Sequence, residues 1–318
     1  MRIAVAGGGG LGYLLATQLS QAANAYNVVV LSRTAQARPE FGQLEVQLQV
    51  VDYGDLASLT FTLQGVDLVI STISGREQLA LIQAAARSRV RNFVPSEFEG
   101  ALSRRPAQQH DPLDRGSGQA MALLKQLAAQ CRIKYTVFSC GVFMERFHPY
   151  GLGYLNIGHG SGIAKPGEYL VDIGNATAEY ADKDSKGRTV RICLSSVYDV
   201  VRFLVAAIDL GPERWPSEFT MRGDRMSVRE LVDTCSYVRN VVFHRHTRST
   251  SELQAYLNYH VEAGDVDRVA YYQRLLATAN GRYDFSRATL NEAIERSDLV
   301  EVQPLRLSQW LINMWQSM

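Results

Sequence analysis

The chain opens with a short apolar run, residues 2–6, that stops at Gly7-Gly8-Gly9-Gly10-Leu11-Gly12. No other feature restricts the fold as strongly. Gly7, Gly9 and Gly12 satisfy the spacing G-x-G-x-x-G, and Leu11, Leu14, Leu15 and Leu19 then recur at helical intervals. A strand, that spacing and an amphipathic helix together form the opening of a dinucleotide-binding βαβ unit. The first glycine lets the chain turn sharply out of the strand. The second lets the backbone approach a pyrophosphate, and the third lets the helix pack close to the sheet. The free N–H groups at the helix start would face the phosphates. Gly7, Gly9, Gly10, Leu11 and Gly12 are therefore candidate cofactor contacts.

The end of the second strand selects between cofactors. Residues 27–31 contain the apolar run Val-Val-Val-Leu and are followed by Ser32-Arg33-Thr34. An acid at this point would hold a ribose 2′-hydroxyl, whereas a guanidinium suits a 2′-phosphate. Arg33, with hydroxyls from Ser32 and Thr34, points to NADP(H). Asp52 ends the third strand, where side chains approach the adenine. Ser71, Thr72 and Ile73 end the fourth, beside the expected ribose and phosphates.

The alternation continues through residue 140. Strands are expected at 46–51, 67–70, 92–94 and 135–139, with helices at 55–63, 77–89 and 118–130. This order implies an α/β, Rossmann-type doubly wound parallel sheet with both faces covered. The pattern changes at residues 151–190, which are rich in glycine and polar residues with short strand-like pieces. Helices are expected at 197–208, at 227–237 behind a Ser227/Glu230 capping box, at 250–279 and at 303–317. The division read from this is an NADP(H)-binding domain over 1–150 and a smaller α+β substrate lobe over 151–318, with some lobe segments returning to the sheet.

Charge excludes some partners. There are 33 basic and 32 acidic residues, a net charge of +1, so neither nucleic acid nor a membrane surface is an expected partner. The four cysteines, Cys131, Cys140, Cys193 and Cys235, form no CxxC pair and read as reduced thiols. His110-Asp111 and His244-Arg245-His246 lack a supporting carboxylate cluster, so no metal is expected. No leader-like run precedes the first strand and no apolar run spans a bilayer. The expectation is a cytoplasmic monomer or homodimer acting on a small molecule.

At residues 92–100 the sequence reads Asn-Phe-Val-Pro-Ser-Glu-Phe-Glu-Gly, and at 134–143 Lys-Tyr-Thr-Val-Phe-Ser-Cys-Gly-Val-Phe. With Ser195-Ser196-Val197-Tyr198-Asp199-Val200, these segments resemble the NmrA-like and isoflavone-reductase-like group of atypical short-chain dehydrogenases. The resemblance spans residues 1–210. It implies an NADPH-dependent reductase fold, with Pro95, Ser96, Glu97 and Phe98 near the nicotinamide and Gly141 and Phe143 walling the pocket.

The proton donor is harder to place. None of the 15 tyrosines has lysine four residues on, so the usual Tyr-x-x-x-Lys pair is absent. Plant reductases of the resembling group use a lysine at the start of the helix before the Tyr-Thr strand. Here the aligned position falls on Gln119 or Met121, neither of which is an acid, and Lys125 lies at least a turn further on. The remaining candidates are Glu97, Gln119 as an orienting hydrogen-bonder, and His148. The expectation is an oxidoreductase acting on a small aromatic or heterocyclic metabolite, with imine or activated-alkene reduction favoured. Two alternatives stay open: a cofactor-bound cyclase or isomerase of specialised metabolism, and an NADP-sensing regulator.

Overall fold

Val28–Leu31 carries four consecutive buried apolar side chains, as a strand covered on both faces must. In the computed structural model this segment belongs to β2 (Asn27–Ser32), which lies beside β1 (Arg2–Ala6) with Ala6 opposite Leu31. The structure describes residues 1–34, 39–44, 46–107, 110–297 and 302–315.

Helix α1 (Gly10–Ser20) follows the glycine run. The chain then forms α2 (Pro39–Gln43), β3 (Gln47–Val50), α3 (Leu56–Thr62), β4 (Leu68–Ser71), α4 (Gly75–Arg87) and β5 (Asn92–Val94). Next come α5 (Ser117–Ala129), β6 (Lys134–Tyr135) and β7 (Val137–Ser139). The six-stranded sheet has the order β3-β2-β1-β4-β5-β6, and every described pairing in it is parallel. This is the doubly wound dinucleotide-binding order, in which the winding reverses between β1 and β4.

The single strand expected over 135–139 is divided at Thr136. Its first part pairs with β5 and its second with β12 (Glu218–Thr220), a parallel partner contributed by the second half of the chain. Helix α6 (Val197–Asp209) also comes from that half. It packs against α1, and its face of Val197, Val201 and Leu204 joins the core under β1, β2 and β4. Helices α3, α4 and α5 cover the opposite face of the sheet.

The lobe has its own apolar core, built around Tyr180, Ile192, Leu231, Leu275 and Trp310. It contains β8 (Val142–Phe143), β9 (Val171–Asp172), β10 (Thr177–Ala181), β11 (Arg191–Ser195), β13 (Asp224–Ser227) and β14 (His244–Arg248). Its helices are α7 (Val228–Arg239), α8 (Thr250–Glu262), α9 (Val266–Ala279) and α11 (Leu307–Trp315), while α10 (Thr289–Glu295) packs on α6. The 227/230 capping box is present at the start of α7. The stretch expected to be helical over 250–279 is two helices, broken at Gly264, whose φ of +69° favours glycine. Among the described residues no helix is long and apolar enough to cross a membrane.

Candidate functional site

The carboxyl ends of β1, β4 and β5 meet at the point where the strand order reverses. Gly7 leaves β1 with φ +105°, and its N–H donates to Leu31 O at 2.9 Å. Thr72 secures the neighbouring strand end, since both its backbone N–H and its Oγ1 donate to Ala6 O, at 2.9 and 2.8 Å. The third glycine of the motif is fixed by packing: a Cβ on Gly12 would lie 2.0 Å from Gly7 O. The first N–H groups of α1, at Gly10 and Leu11, have no intrahelical acceptor and remain available to an anion.

A cleft of about 430 Å³ runs from this loop towards the lobe. Gly9, Leu11, Thr72 and Ile73 line its glycine-loop end, and Ser96, Glu97, Phe98 and Phe143 line its middle. A glycine-rich segment, residues 151–163, passes over the loop, so that a Cβ on Gly9 would lie 3.1 Å from Asn156 Nδ2. A larger groove, about 1110 Å³, lies at the opposite edge of the sheet among Arg87, Arg89, Arg91, Arg132 and Lys134. Doubly wound folds bind ligands at the carboxyl edge, so the smaller cleft is the functional candidate. The net charge near zero conceals a local concentration of positive charge in this groove.

Several cofactor candidates lie away from the cleft wall. Ser71 is fully buried, and its hydroxyl donates to Ile73 O at 3.1 Å. Pro95 is buried. Asp52 is exposed and accepts the Gly54 N–H at 2.8 Å. Arg33 stands at the end of β2, where a 2′-phosphate is expected, but it is largely exposed and ion-paired with Glu77 at 3.1 Å. Ser32 Oγ accepts the Thr34 N–H at 3.3 Å and lies beside Gly8.

The three candidate catalytic residues part company. Glu97 lines the cleft and is almost fully buried, but both its oxygens are engaged. Arg105 Nη1 donates to Oε2 and Ser117 Oγ donates to Oε1. Burial pushes its carboxyl up, while the Arg105 guanidinium opposes that shift. The pair continues into a buried network. Arg105 lies 3.2 Å from Glu99, and Arg282 binds both Glu99 at 2.9 Å and Asp111 at 2.8 Å.

Gln119 is exposed on α5 and absent from the cleft wall, and Met121 is buried in the core beneath it. The α5 side chain that reaches the cleft is Ser117. Ser117 and Gln119 are only two residues apart, but they face different sides of α5. His148 also lies outside the cleft wall. Its ring stacks on Tyr154 at 3.8 Å between centroids, its Nδ1 accepts the Tyr150 N–H at 3.2 Å, and burial lowers its pKa.

Other cleft residues were not anticipated either. Gln78, buried on α4, accepts the Ser96 N–H at 2.7 Å and so fixes the loop after β5. Arg146, Arg274 and Tyr283 line the lobe end. Burial pushes the Tyr283 phenol up to about 12, which keeps its hydroxyl protonated at neutral pH. Among the described residues no group of three or more His, Cys, Asp or Glu side chains is placed to hold a metal.

Comparison with known proteins accords with this geometry. Residues 7–152 match the family model described as NAD(P)H-binding. Oxidoreductase BOA1 of Botryotinia fuckeliana is 28% identical over 244 residues, 73% of this chain and 74% of that protein. Among solved structures, isoflavone reductase superposes with a TM-score of 0.70 at 19% identity, covering 98% of each chain. The leucoanthocyanidin reductase–NADPH complex of Vitis vinifera gives 0.70 at 15% identity, covering 98% of this chain and 99% of that one. The N-terminal part thus matches an NAD(P)H-binding family model, and a protein named as an oxidoreductase is similar to much of the chain. The whole chain has the fold of the isoflavone-reductase-like proteins, in keeping with the resemblance carried by residues 92–100 and 134–143.

Proposed function

We propose that this chain is an NADPH-dependent reductase of a small aromatic or heterocyclic metabolite, with an imine or an activated alkene as hydride acceptor. One observation carries the reading. The glycine loop and the lobe share a single cleft, yet the carboxylate at its centre, Glu97, is engaged by Arg105 and Ser117. Such a site suits an acceptor that takes hydride with little help from an acid.

The cofactor supplies a hydride when bound. The residues present fit it: side chains at Gly7 or Gly12 would fill the turn, and the start of α1 offers N–H donors to a pyrophosphate. Asn156 Nδ2, beside Gly9, is placed to donate to the same phosphates. Arg33 would exchange Glu77 for the 2′-phosphate, and that exchange underlies the preference for NADPH. Ile73, Ser96 and Phe143 would flank the nicotinamide end, with Phe98 and Phe143 supplying apolar surface to the substrate. Four unpaired cysteine thiols accord with a reducing, cytoplasmic setting.

The test is a panel of cyclic imines, enones and plain ketones, followed at the nicotinamide absorbance. Turnover of imines or enones, but not of ketones, is expected. Equal turnover of plain ketones would sink the choice of acceptor. Product formed with no change in the cofactor would replace reduction by an isomerisation or cyclisation.

A further inference from the structure

The lobe end of the cleft holds an uncompensated positive charge. Arg274, on α9, lines the cleft at 6% exposure, and its buried Nε has no hydrogen-bond partner. Arg146, in the short turn after β8, lines the same end with its guanidinium 4.3 Å from the Tyr169 ring centroid. Arg115 stands beside them and donates to Gly160 O at 3.3 Å. Among the described residues none of the three makes an ion pair within 4 Å, although ion pairs elsewhere in the chain are numerous.

The nearby acids do not cancel this charge. Glu97 and Glu99 line the cleft, but their oxygens are held by Arg105, Arg282 and Ser117. Glu168 acts electrostatically on both Arg146 and Arg274 without reaching ion-pair distance. A buried guanidinium left without a partner is costly, and a planar oxyanion accepting two parallel N–H bonds removes that cost. Burial disfavours the charged form of both arginines, so an anion arriving between them would be bound strongly.

We propose that Arg274 and Arg146, with Arg115 at the rim, form an oxyanion site that takes a carboxylate carried by the substrate. The assignment rests on reading this cleft as the substrate site of a reductase, and it names the substrate class: a small carboxylic acid. The acid group binds at the lobe and the reducible bond points back towards Phe143 and Ser96. A cyclic imino acid would satisfy both ends, its carboxylate at the arginines and its C=N at the nicotinamide.

The test uses benzoate, its neutral isostere benzamide, and phenyl phosphate, titrated calorimetrically into the protein with and without NADPH. Benzoate should bind at least about tenfold tighter than benzamide. Arg274→Gln should abolish that preference, and Arg274→Lys should restore part of it. NADPH affinity, read by nicotinamide fluorescence, should be unchanged in both variants, showing that they fold. Equal binding of benzoate and benzamide, no benzoate binding at millimolar concentration, or a preference that survives Arg274→Gln overturns the proposal. Phenyl phosphate binding more tightly than benzoate, with the same arginine dependence, overturns the carboxylate in favour of a phosphate monoester. Failure of NADPH to bind overturns the reductase reading alone, because the benzoate preference is also measured on the cofactor-free protein.

Discussion

Arg33 Nη1 lies 3.1 Å from Glu77 Oε1, so a carboxylate from the first turn of α4 holds the guanidinium at the end of β2. Both side chains are well exposed, and such a pair is worth at most about 1 kcal/mol. A 2′-phosphate offers a doubly charged, multidentate partner and would displace the carboxylate. Arg33→Ala should therefore raise the Kd for NADPH by about tenfold or more while leaving that for NADH nearly unchanged. Glu77→Gln should tighten NADPH by no more than about fivefold. Fluorescence titration with both cofactors checks the pair, and an equal loss of NADH and NADPH in Arg33→Ala would refute the role.

Gly12 tests the turn itself. Its missing Cβ would lie 2.0 Å from Gly7 O, a backbone atom that cannot swing aside. Gly12→Ala must therefore push α1 away from the loop. The expected cost is about 1–3 kcal/mol in denaturant unfolding, with loss of cofactor binding. Gly42, with nothing near its Cβ position, is the control, and Gly42→Ala should leave NADPH binding intact.

The glycine loop and the parallel sheet were legible because their physics is local. A strand, a turn and a helix lie within one short stretch, and the Ser227/Glu230 capping box spans a single turn. The lobe was harder to read. Strand β14 is His-Arg-His-Thr-Arg, largely exposed, with none of the apolar alternation that marks a strand. It exists because it pairs with β10 across the fold. The site was half legible for the same reason. Glu97 was singled out from its segment, but its network reaches Arg282, 183 residues beyond Glu99, and the cleft arginines stand on elements far apart in sequence. No spacing rule connects them. Lone arginines read as solvated surface until folding buries them together.

Ser117 and Gln119 separate alignment from geometry. Ser117 donates to Glu97 within the cleft, whereas Gln119 faces solvent two residues on. Gln119→Ala should leave turnover and NADPH affinity within about twofold of wild type, as surface substitutions do. Ser117→Ala removes a hydrogen bond to a buried carboxylate and should destabilise the fold by about 1.5–3 kcal/mol. A large loss of turnover in Gln119→Ala would return the substrate-orienting role to that position.

Glu145 makes stability depend on pH. It follows β8, is fully buried, and accepts from Ser196 Oγ at 2.7 Å and from the Val197 N–H at 2.9 Å. It thereby caps α6, the lobe-derived helix that packs on α1. Burial pushes its carboxyl up to about 7 from the ordinary 4.5, a shift its hydrogen bonds only partly oppose. Below about 4.5 both folded and unfolded chains hold the proton, and the contribution of the neutral acid is complete. Between about 4.5 and 7 only the unfolded chain releases it, so stability falls as the pH rises through that window and levels off above it. Glu145→Gln keeps a neutral isostere at all pH values. The stability of wild type relative to Glu145→Gln should therefore decline by about 3 kcal/mol between about pH 4.5 and about pH 7 and then stay flat. Denaturant midpoints of both proteins across that range check it. A constant difference between the two would mean that Glu145 is ionised in the folded chain throughout.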